Sequence, residues 1–441
     1  MSEYLQTVLR GHPIVQQSEL LDELGAQTIR EALGAIDPKL EGDFARKSFD
    51  NKTYWNETYA KLKVPTWLGI DLEAGYEHNT GDFLDESETL PTAGLWNIGI
   101  HIPLGNGLLY DRRRAELDKA KVYDSAQEQE RLIMINDLLY DALYDYCHWQ
   151  LEYALNSVYQ RAVIRAQNRY ENTVASYEVG DKAAIDTLEA YIALQQRQND
   201  LTASNNNMAV AKIIVESYIW DQGSIPMELD AGIAPESIRS SDISLTKVLI
   251  NLNAEQSIAD NPLLTVLSFQ LNQLDIDRRL IQEFLKPTVD LQFNPLLYGN
   301  DSRRFGYEVD NYKFGASVAI PLRQRKTRAK MEKTELKRQD IALKLSNKRR
   351  EILNKANILY RDQAMLEEQL LRQNNMVSNY GQLLNAEEDM FSIGESSIFL
   401  LNNRDLKYLD SQIKENEMRN KLLTNRLKIL QNSFSLLSLQ S

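Results

Sequence analysis

Trp96-Asn97-Ile98-Gly99-Ile100-His101-Ile102-Pro103-Leu104 is written a second time in this chain, as Lys313-Phe314-Gly315-Ala316-Ser317-Val318-Ala319-Ile320-Pro321-Leu322. In the first run Trp96, Ile98, Ile100 and Ile102 oppose Asn97, Gly99 and His101; in the second Phe314, Ala316, Val318 and Ile320 oppose Lys313, Gly315, Ser317 and Ala319. A period of two is the mark of a strand with one apolar face, because successive side chains point to opposite sides. Other landmarks recur outward from this pair in the same order. His12-Pro13 returns as Asn261-Pro262 and Pro38 as Pro287, both at an offset of 249 residues. Tyr177-Glu178-Val179-Gly180 returns as Phe391-Ser392-Ile393-Gly394, with 77 residues from Pro103 to Gly180 and 73 from Pro321 to Gly394. Four landmarks in one order mark an internal duplication.

Each repeat carries a partner for its strand. In the first, Leu68, Ile70, Leu72, Ala74 and Tyr76 alternate with Gly69, Asp71, Glu73 and Gly75, ahead of an acidic loop through Asp82, Asp85, Glu86 and Glu88. In the second, Val289, Leu291 and Phe293 alternate with Thr288, Asp290 and Gln292, ahead of a loop around Gly299 to Asn311. The pattern therefore predicts one hairpin per repeat, about 66–103 and about 287–321, and four strands per chain. Residues 39–65, with their Trp, Tyr, Asn and Lys content, carry no assignment, and Pro65 rivals Pro38 as the partner of Pro287.

Long helices follow the hairpins. From Leu104 to Glu178 there is no proline and, past Gly107, no glycine; from Leu322 to Ser392 the first glycine is Gly381. Some 70 helical residues would span on the order of 100 Å, and such a helix must pack along its length on others. Leu423, Leu427, Leu430, Phe434 and Leu437 step by four and three, with Leu406, Leu409 and Ile413 in phase, which is a coiled-coil seam. Asn416 and Asn420 fall on it as well. Gly180 and Gly394 stand where the long helices should stop and the chain reverse. The expected organisation is a first repeat over 1–220 with a helical hairpin at 104–220. A connection over 221–260, containing Gly223, Pro226, Gly232 and Pro235, precedes a second repeat over 261–441 with a helical hairpin at 322–441.

Composition narrows the class. Only 19 glycines and 11 prolines, with 26% charged residues, suit long helices rather than a turn-rich chain. A net charge of −13 argues against nucleic acid as partner, since phosphate rewards a positive surface. No run approaches the roughly 18 apolar residues of a membrane-spanning helix, which leaves a membrane β-barrel open. Met1-Ser2-Glu3-Tyr4-Leu5 does not read as an export signal. Cys147, the one cysteine, reads as a small buried apolar side chain, and His12, His78, His101 and His148 have no metal-ligand spacing. No constellation suggests an enzyme, a cofactor or a metal.

The apolar rows must face a second sheet or lipid. Lipid suits them better, because the opposite faces (Asp71, Glu73, Asn97, His101, Asp290, Gln292, Ser317) suit a watery lumen. The lipid-facing residues would then be Leu68, Ile70, Leu72, Trp96, Ile98, Ile100, Val289, Leu291, Phe293, Phe314, Val318 and Ile320. Basic clusters follow each second strand, Arg112, Arg113 and Arg114 in one repeat and Arg323, Arg325, Lys326 and Arg328 in the other, placed to meet anionic head groups. A solvated helix start is the plainer account of either cluster. Three chains of four strands would close a barrel of twelve without exposed edges, and their helices would continue below as a helical barrel.

Given twice, the order helix, Pro-ended hairpin, long helix, Tyr-x-Val-Gly turn and returning helix resembles the outer-membrane efflux proteins of the TolC type. Asn261-Pro262-Leu263-Leu264, Lys286-Pro287-Thr288-Val289-Asp290-Leu291 and Gly315 to Leu322 carry that resemblance with the Val179-Gly180 turn. It implies a mainly α-helical fold with a β-barrel portion. The expected assembly is a homotrimer whose barrel crosses the outer membrane of a Gram-negative bacterium and whose coiled-coil barrel extends into the periplasm. The implied function is passive: an exit duct coupled through a periplasmic adaptor protein to an inner-membrane pump. Val179, Gly180, Asp181 and Lys182, with Ile393, Gly394, Glu395 and Ser396, would form the tips that meet the adaptor. Asp186 and Glu189, and Leu400, Asn403, Arg404 and Asp405, would line or latch the tunnel mouth. Many members carry an acidic pair where this chain has Leu400 and Asn403, so closure by Leu400 is expected here rather than a cation-blocked mouth. The competing expectation is a soluble coiled-coil scaffold with two hairpin modules.

Overall fold

The computed structural model describes the chain apart from positions 222, 224, 231, 250–254, 256, 257, 259, 300–304 and 441. Two compact units emerge, each drawing on both repeats: one from 21–128 and 265–346, the other from 1–20, 129–264 and 347–441. Of the expected 221–260 connection, the positions just named lie outside the described residues.

The first unit is built on one antiparallel sheet of six strands in chain order. The strands are β1 (Lys39–Phe49), β2 (Lys52–Pro65), β3 (Asp71–Thr80), β4 (Leu95–Pro103), β5 (Thr288–Gly299) and β6 (Phe305–Ala319). The expectation of four strands is corrected: the unassigned 39–65 segment is a further hairpin, β1–β2, paired along β3 through Lys63 with Glu73 and Val64 with Leu72. Pro38 and Pro287 each stand one residue before a strand, β1 and β5, whereas Pro65 closes β2. Two further corrections concern strand ends. Leu68 and Ile70 lie in a turn, where the Thr66 hydroxyl donates to the Ile70 carbonyl at 2.6 Å and Gly69 takes φ +78°. Ile320 falls just beyond β6. The second loop is also shorter than expected, with β5 running to Gly299 and β6 starting at Phe305.

The two faces of this sheet differ in chemistry. On one, Leu40 faces Leu62, Leu72 faces Ile100, Ile100 faces Phe293 and Phe293 faces Phe314 across successive strands. This face lies open: Ile98 is 58% exposed, Phe314 62% and Val318 65%. On the other, Asp71, Glu73, Asn97 and Asn294 are all buried. Their charges are matched: Lys61 meets Glu73 at 2.7 Å, Lys63 meets Asp71 at 3.0 Å, and Gln292 donates to Glu73 at 3.2 Å. Burying a carboxylate is unfavourable unless partners compensate, and here each has at least two.

The second unit is helical. It holds α1 (Ser2–Gly11), α4 (Ala184–Glu216), α5 (Ile238–Leu249) and α8 (Ile398–Asn432). It also takes the greater part of α3 (Arg112–Glu178) and α7 (Arg325–Ser392), while α2 (Pro13–Leu33) and α6 (Pro262–Glu283) begin in it. The His-Pro and Asn-Pro landmarks are two copies of one helix start. Proline occupies the first helical position, where its missing N–H is no loss. The residue before it caps: Asn261 Oδ1 accepts from the Leu263 N–H at 3.1 Å, and His12 Nδ1 from the Ile14 N–H at 3.2 Å. Of the expected seam, Leu423, Leu427 and Leu430 are fully buried with Leu139, Leu143 and Cys147, and Leu409 packs on Val158 and Ala162. Leu406, inside α8, and Leu437 are exposed instead; Leu437 leaves the seam because α8 ends at Asn432 and Phe434 turns the chain with φ +54°. Cys147 is a fully buried core side chain, and burial holds its thiol above its usual pKa.

Candidate functional site

The two turns with which the helical hairpins reverse are the same turn. Gly180 has φ +83° and Gly394 φ +81°. The Asp181 N–H donates to the Ser176 carbonyl at 2.9 Å, and the Glu395 N–H to the Met390 carbonyl at 2.9 Å. This bond back over five residues, past a left-handed glycine, ends a helix by satisfying a carbonyl that the helix leaves free. Neither glycine has another atom within 4 Å of where a side chain would start, so backbone conformation alone selects it. Val179 is 81% exposed and Ile393 69%, leaving an apolar side chain at the apex of each turn.

The helices that return from the turns start differently. The Asp186 carboxylate accepts from the Ala183 N–H at 3.2 Å, so this residue caps α4. Ser397 caps α8, its hydroxyl accepting from the Leu400 N–H at 3.3 Å. Glu189 is half-buried, while Leu400 and Asn403 are exposed on the first turns of α8. The tips touch where Lys182 Nζ lies 4.3 Å from the centre of the Phe391 ring.

One turn further from the apex, the expected latch residues separate. Arg404 reaches Glu387 on α7 at 3.4 Å, and Glu387 also accepts from the Ser396 hydroxyl. Asp405 points inward and is buried, meeting Arg165 Nε on α3 at 2.9 Å and Arg169 Nη1 at 3.8 Å. Arg169 donates to Asn402 at 3.0 Å and lies 3.6 Å from Glu388, and Arg165 sits over the Tyr408 ring at 5.5 Å. Burial pulls the Arg169 guanidinium below its usual pKa, against the opposing pull of Asp405 and Glu388. A cavity of about 490 Å³ beside this network is lined by Arg169, Asn172, Lys182, Glu388, Phe391 and Leu401, among others. Arg165 and Arg169 were not singled out in the sequence. The available signal was their i, i+4 spacing on the stripe of Ala162 and Ala166, where charges on an otherwise small, buried face require partners.

The basic clusters divide too. Arg113 bridges Asp71 at 2.7 Å and Asp111 at 2.8 Å, and Arg114 donates to the carbonyls of Leu108 and Leu109. Those two arginines hold the start of α3 together. Arg112, Arg323, Arg325, Lys326 and Arg328 are exposed. Positive charge in the first turn of a helix opposes the helix dipole, so their position needs a reason outside the helix. Among the described residues no helix is long and apolar enough to cross a membrane, and no cluster of His, Cys, Asp and Glu is arranged for a metal.

No protein-family model matches the chain, and no curated protein matches it by sequence. Solved structures do. The outer-membrane channel OprN superposes with a TM-score of 0.70 at 11% identity, over 98% of this chain and 89% of its own. The Neisseria gonorrhoeae MtrE channel, in its open state, gives 0.69 at 11% identity, over 99% and 89%. The Vibrio cholerae outer-membrane protein VceC gives 0.67 at 12% identity, over 98% and 95%. This chain has the TolC-type outer-membrane channel fold. At such identities the likeness fixes the path of the backbone, and the side-chain chemistry at the tips has to be argued from this chain's own residues.

Proposed function

We propose that this protein is an outer-membrane exit duct, a passive channel through which an inner-membrane pump, coupled by a periplasmic adaptor, expels its cargo. The observation that carries the reading is the sheet with its chemistry inverted: apolar residues lie open on one face while matched charges are buried on the other. In water that arrangement exposes the wrong face; against lipid, with a watery lumen inside, it is the favourable one. An aromatic row supports it. Tyr76 pairs with Trp96, Trp96 with Leu297 and Leu297 with Tyr307 toward the loop ends of the strands, the level at which aromatic side chains favour a membrane interface. The exposed basic residues at the start of α7 would then meet anionic head groups at the other boundary.

The chain would act as a homotrimer, since an open sheet cannot span a membrane and a closed one can. The expected count of twelve strands assumed four per chain and does not carry over to six. Val179 to Lys182 and Ile393 to Ser396 are the adaptor-contact tips. Asp186, Glu189, Leu400 and Asn403 surround the mouth, with Arg404 and Asp405 holding α8 in place. The solved neighbours are channels rather than enzymes, in keeping with a conduit that has no catalytic step.

The test is single-channel conductance of detergent-purified protein in a planar bilayer, with its mass measured alongside. Trimers that insert and pass ions are expected; a folded species that never inserts would leave the soluble scaffold as the account. Replacing Leu400 by Ser should raise resting conductance if this side chain narrows the mouth, and an unchanged closed state would remove it from that role.

A further inference from the structure

We propose that the β1–β2 hairpin is part of the barrel wall, and that the free edge of β1 pairs with the free edge of β6 in a second copy. Three chains of six strands then close eighteen rather than twelve. The inference rests on the duct reading and specifies its barrel.

Four observations carry it. First, the hairpin is tied into the sheet by charge as well as by backbone. Lys61 and Lys63 of β2 are the cationic partners of Glu73 and Asp71, two carboxylates buried on the inner face of β3. A sheet that began at β3 would leave Glu73 with only the Gln292 amide. Second, the two open edges are compatible in direction. With an even number of strands, all antiparallel and in chain order, β1 and β6 run oppositely, so β6 of one copy beside β1 of the next continues the alternation.

Third, the faces match in parity. On β1 the even positions Leu40 and Phe44 lie on the open apolar face; on β6 so do Phe314, Ala316 and Val318. Pairing odd positions with odd keeps that face continuous, and a slip by one residue inverts it. Fourth, the edges are complementary in charge. The inner face of β1 carries Glu41 and Asp43 against Lys313 on β6. Opposite charges across adjacent strands stabilise their pairing. In the single chain the sheet curls so far that Lys313 reaches Glu77 on β3 at 2.9 Å. Closure with neighbouring copies opens this curl and turns Lys313 toward Glu41 and Asp43 of the next chain. All of β1 is exposed, a long unprotected edge of the kind that proteins ordinarily cover.

The test is disulfide trapping in the full chain. Asp43→Cys is combined in turn with Lys313→Cys, Gly315→Cys and Ser317→Cys, and with Phe314→Cys and Ala316→Cys as parity controls. Gly315 accepts a side chain, since an added Cβ meets only the Gln292 Cβ at 3.9 Å. At least one odd-position pair should give covalent dimers and trimers on oxidation while both even-position pairs stay monomeric on a denaturing gel. The linked trimer should still conduct in a bilayer. Conducting trimers with no odd-position link, or with links only at 314 or 316, would overturn the eighteen-stranded barrel and leave the duct standing. A chain that neither trimerises nor inserts would remove both. Hydrogen exchange on the unsubstituted protein in detergent reads the same contact without cysteines. Those amides of 39–47 that point away from β2 should be protected in the trimer and exchange freely in the monomer, where the alternate amides are already bonded to β2; free exchange of the outward set in a conducting trimer would also overturn the inference.

Discussion

The two tips of the helical hairpins share a backbone and differ in what surrounds it. Gly180 and Gly394 close their helices with the same left-handed residue and the same hydrogen bond to the carbonyl five positions back. Beyond the first tip, Asp186 is spent on a cap and Glu189 has no ion pair among the described residues. Beyond the second, Asp405 is buried between Arg165 and Arg169 while Arg404 and Ser396 converge on Glu387. The two turns share the conformation that reverses the chain and differ in the side chains around it. The outcome is one hairpin whose returning helix is held by buried charge and one whose returning helix is not.

The largest test of that contrast is Asp405→Ala against Glu189→Ala. Removing Asp405 leaves the half-buried Arg165 without its carboxylate and the buried Arg169 with only Glu388, 3.6 Å away, a loss of about 3 kcal/mol, whereas the Glu189 change should stay within about 0.5 kcal/mol. Chemical unfolding of the solubilised protein measures both, and equal effects would erase the asymmetry. The shared turn is tested by Gly180→Ala and Gly394→Ala. Each should lose about 1–2 kcal/mol, because a side chain is unfavourable at positive φ and nothing else crowds either site. Unequal losses would mean that the turns are alike only in outline. The contact between the tips is weaker. Phe391→Ala removes the ring under Lys182 and should lower stability by about 0.5–1 kcal/mol, with Phe391→Tyr near neutral.

The smallest effect is in the acid limb of stability, further along α7. Burial on its own would raise the Glu367 carboxyl, but hydrogen bonds from Gln363 and Arg426 outweigh it and hold the carboxyl below its usual pKa. A carboxylate held down in the folded state stabilises above the unfolded-state value and loses that contribution as pH falls through its folded one. Stability should therefore decline below about pH 4.5, and Glu367→Gln should flatten that decline slightly, read as unfolding midpoint against pH.

The sequence made most of the framework legible because its signals were local and repeated. Pro13 and Pro262, the run from Trp96 to Pro103 and its echo, and Gly180 with Gly394 each mark an element boundary by a backbone rule. The β1–β2 hairpin escaped because its alternation is not one of hydrophobicity. Lys39, Glu41 and Asp43 share one face of β1, while Gly42 and Arg46 interrupt Leu40 and Phe44 on the other. Nothing in such a run announces burial, and only Glu73 and Asp71 on the neighbouring strand explain its lysines. At the site, the turns were legible and the network was not. Asp405 could be suspected from its distance past Gly394, but its partners lie 240 and 236 residues away on α3, and no local pattern encodes that pairing.

The twin turns also bear on symmetry. In the proposed trimer three copies would present six vertices, alike in backbone and unlike in side chain, so the ring would be sixfold in outline and threefold in detail. A ligand that recognises only the left-handed glycine and its flanking amides would count six equivalent positions. One that requires Lys182, whose counterpart is Ser396, would count three. The stoichiometry at saturation thus reports which layer of the duplication, the conserved backbone or the diverged chemistry, a partner has learned to read.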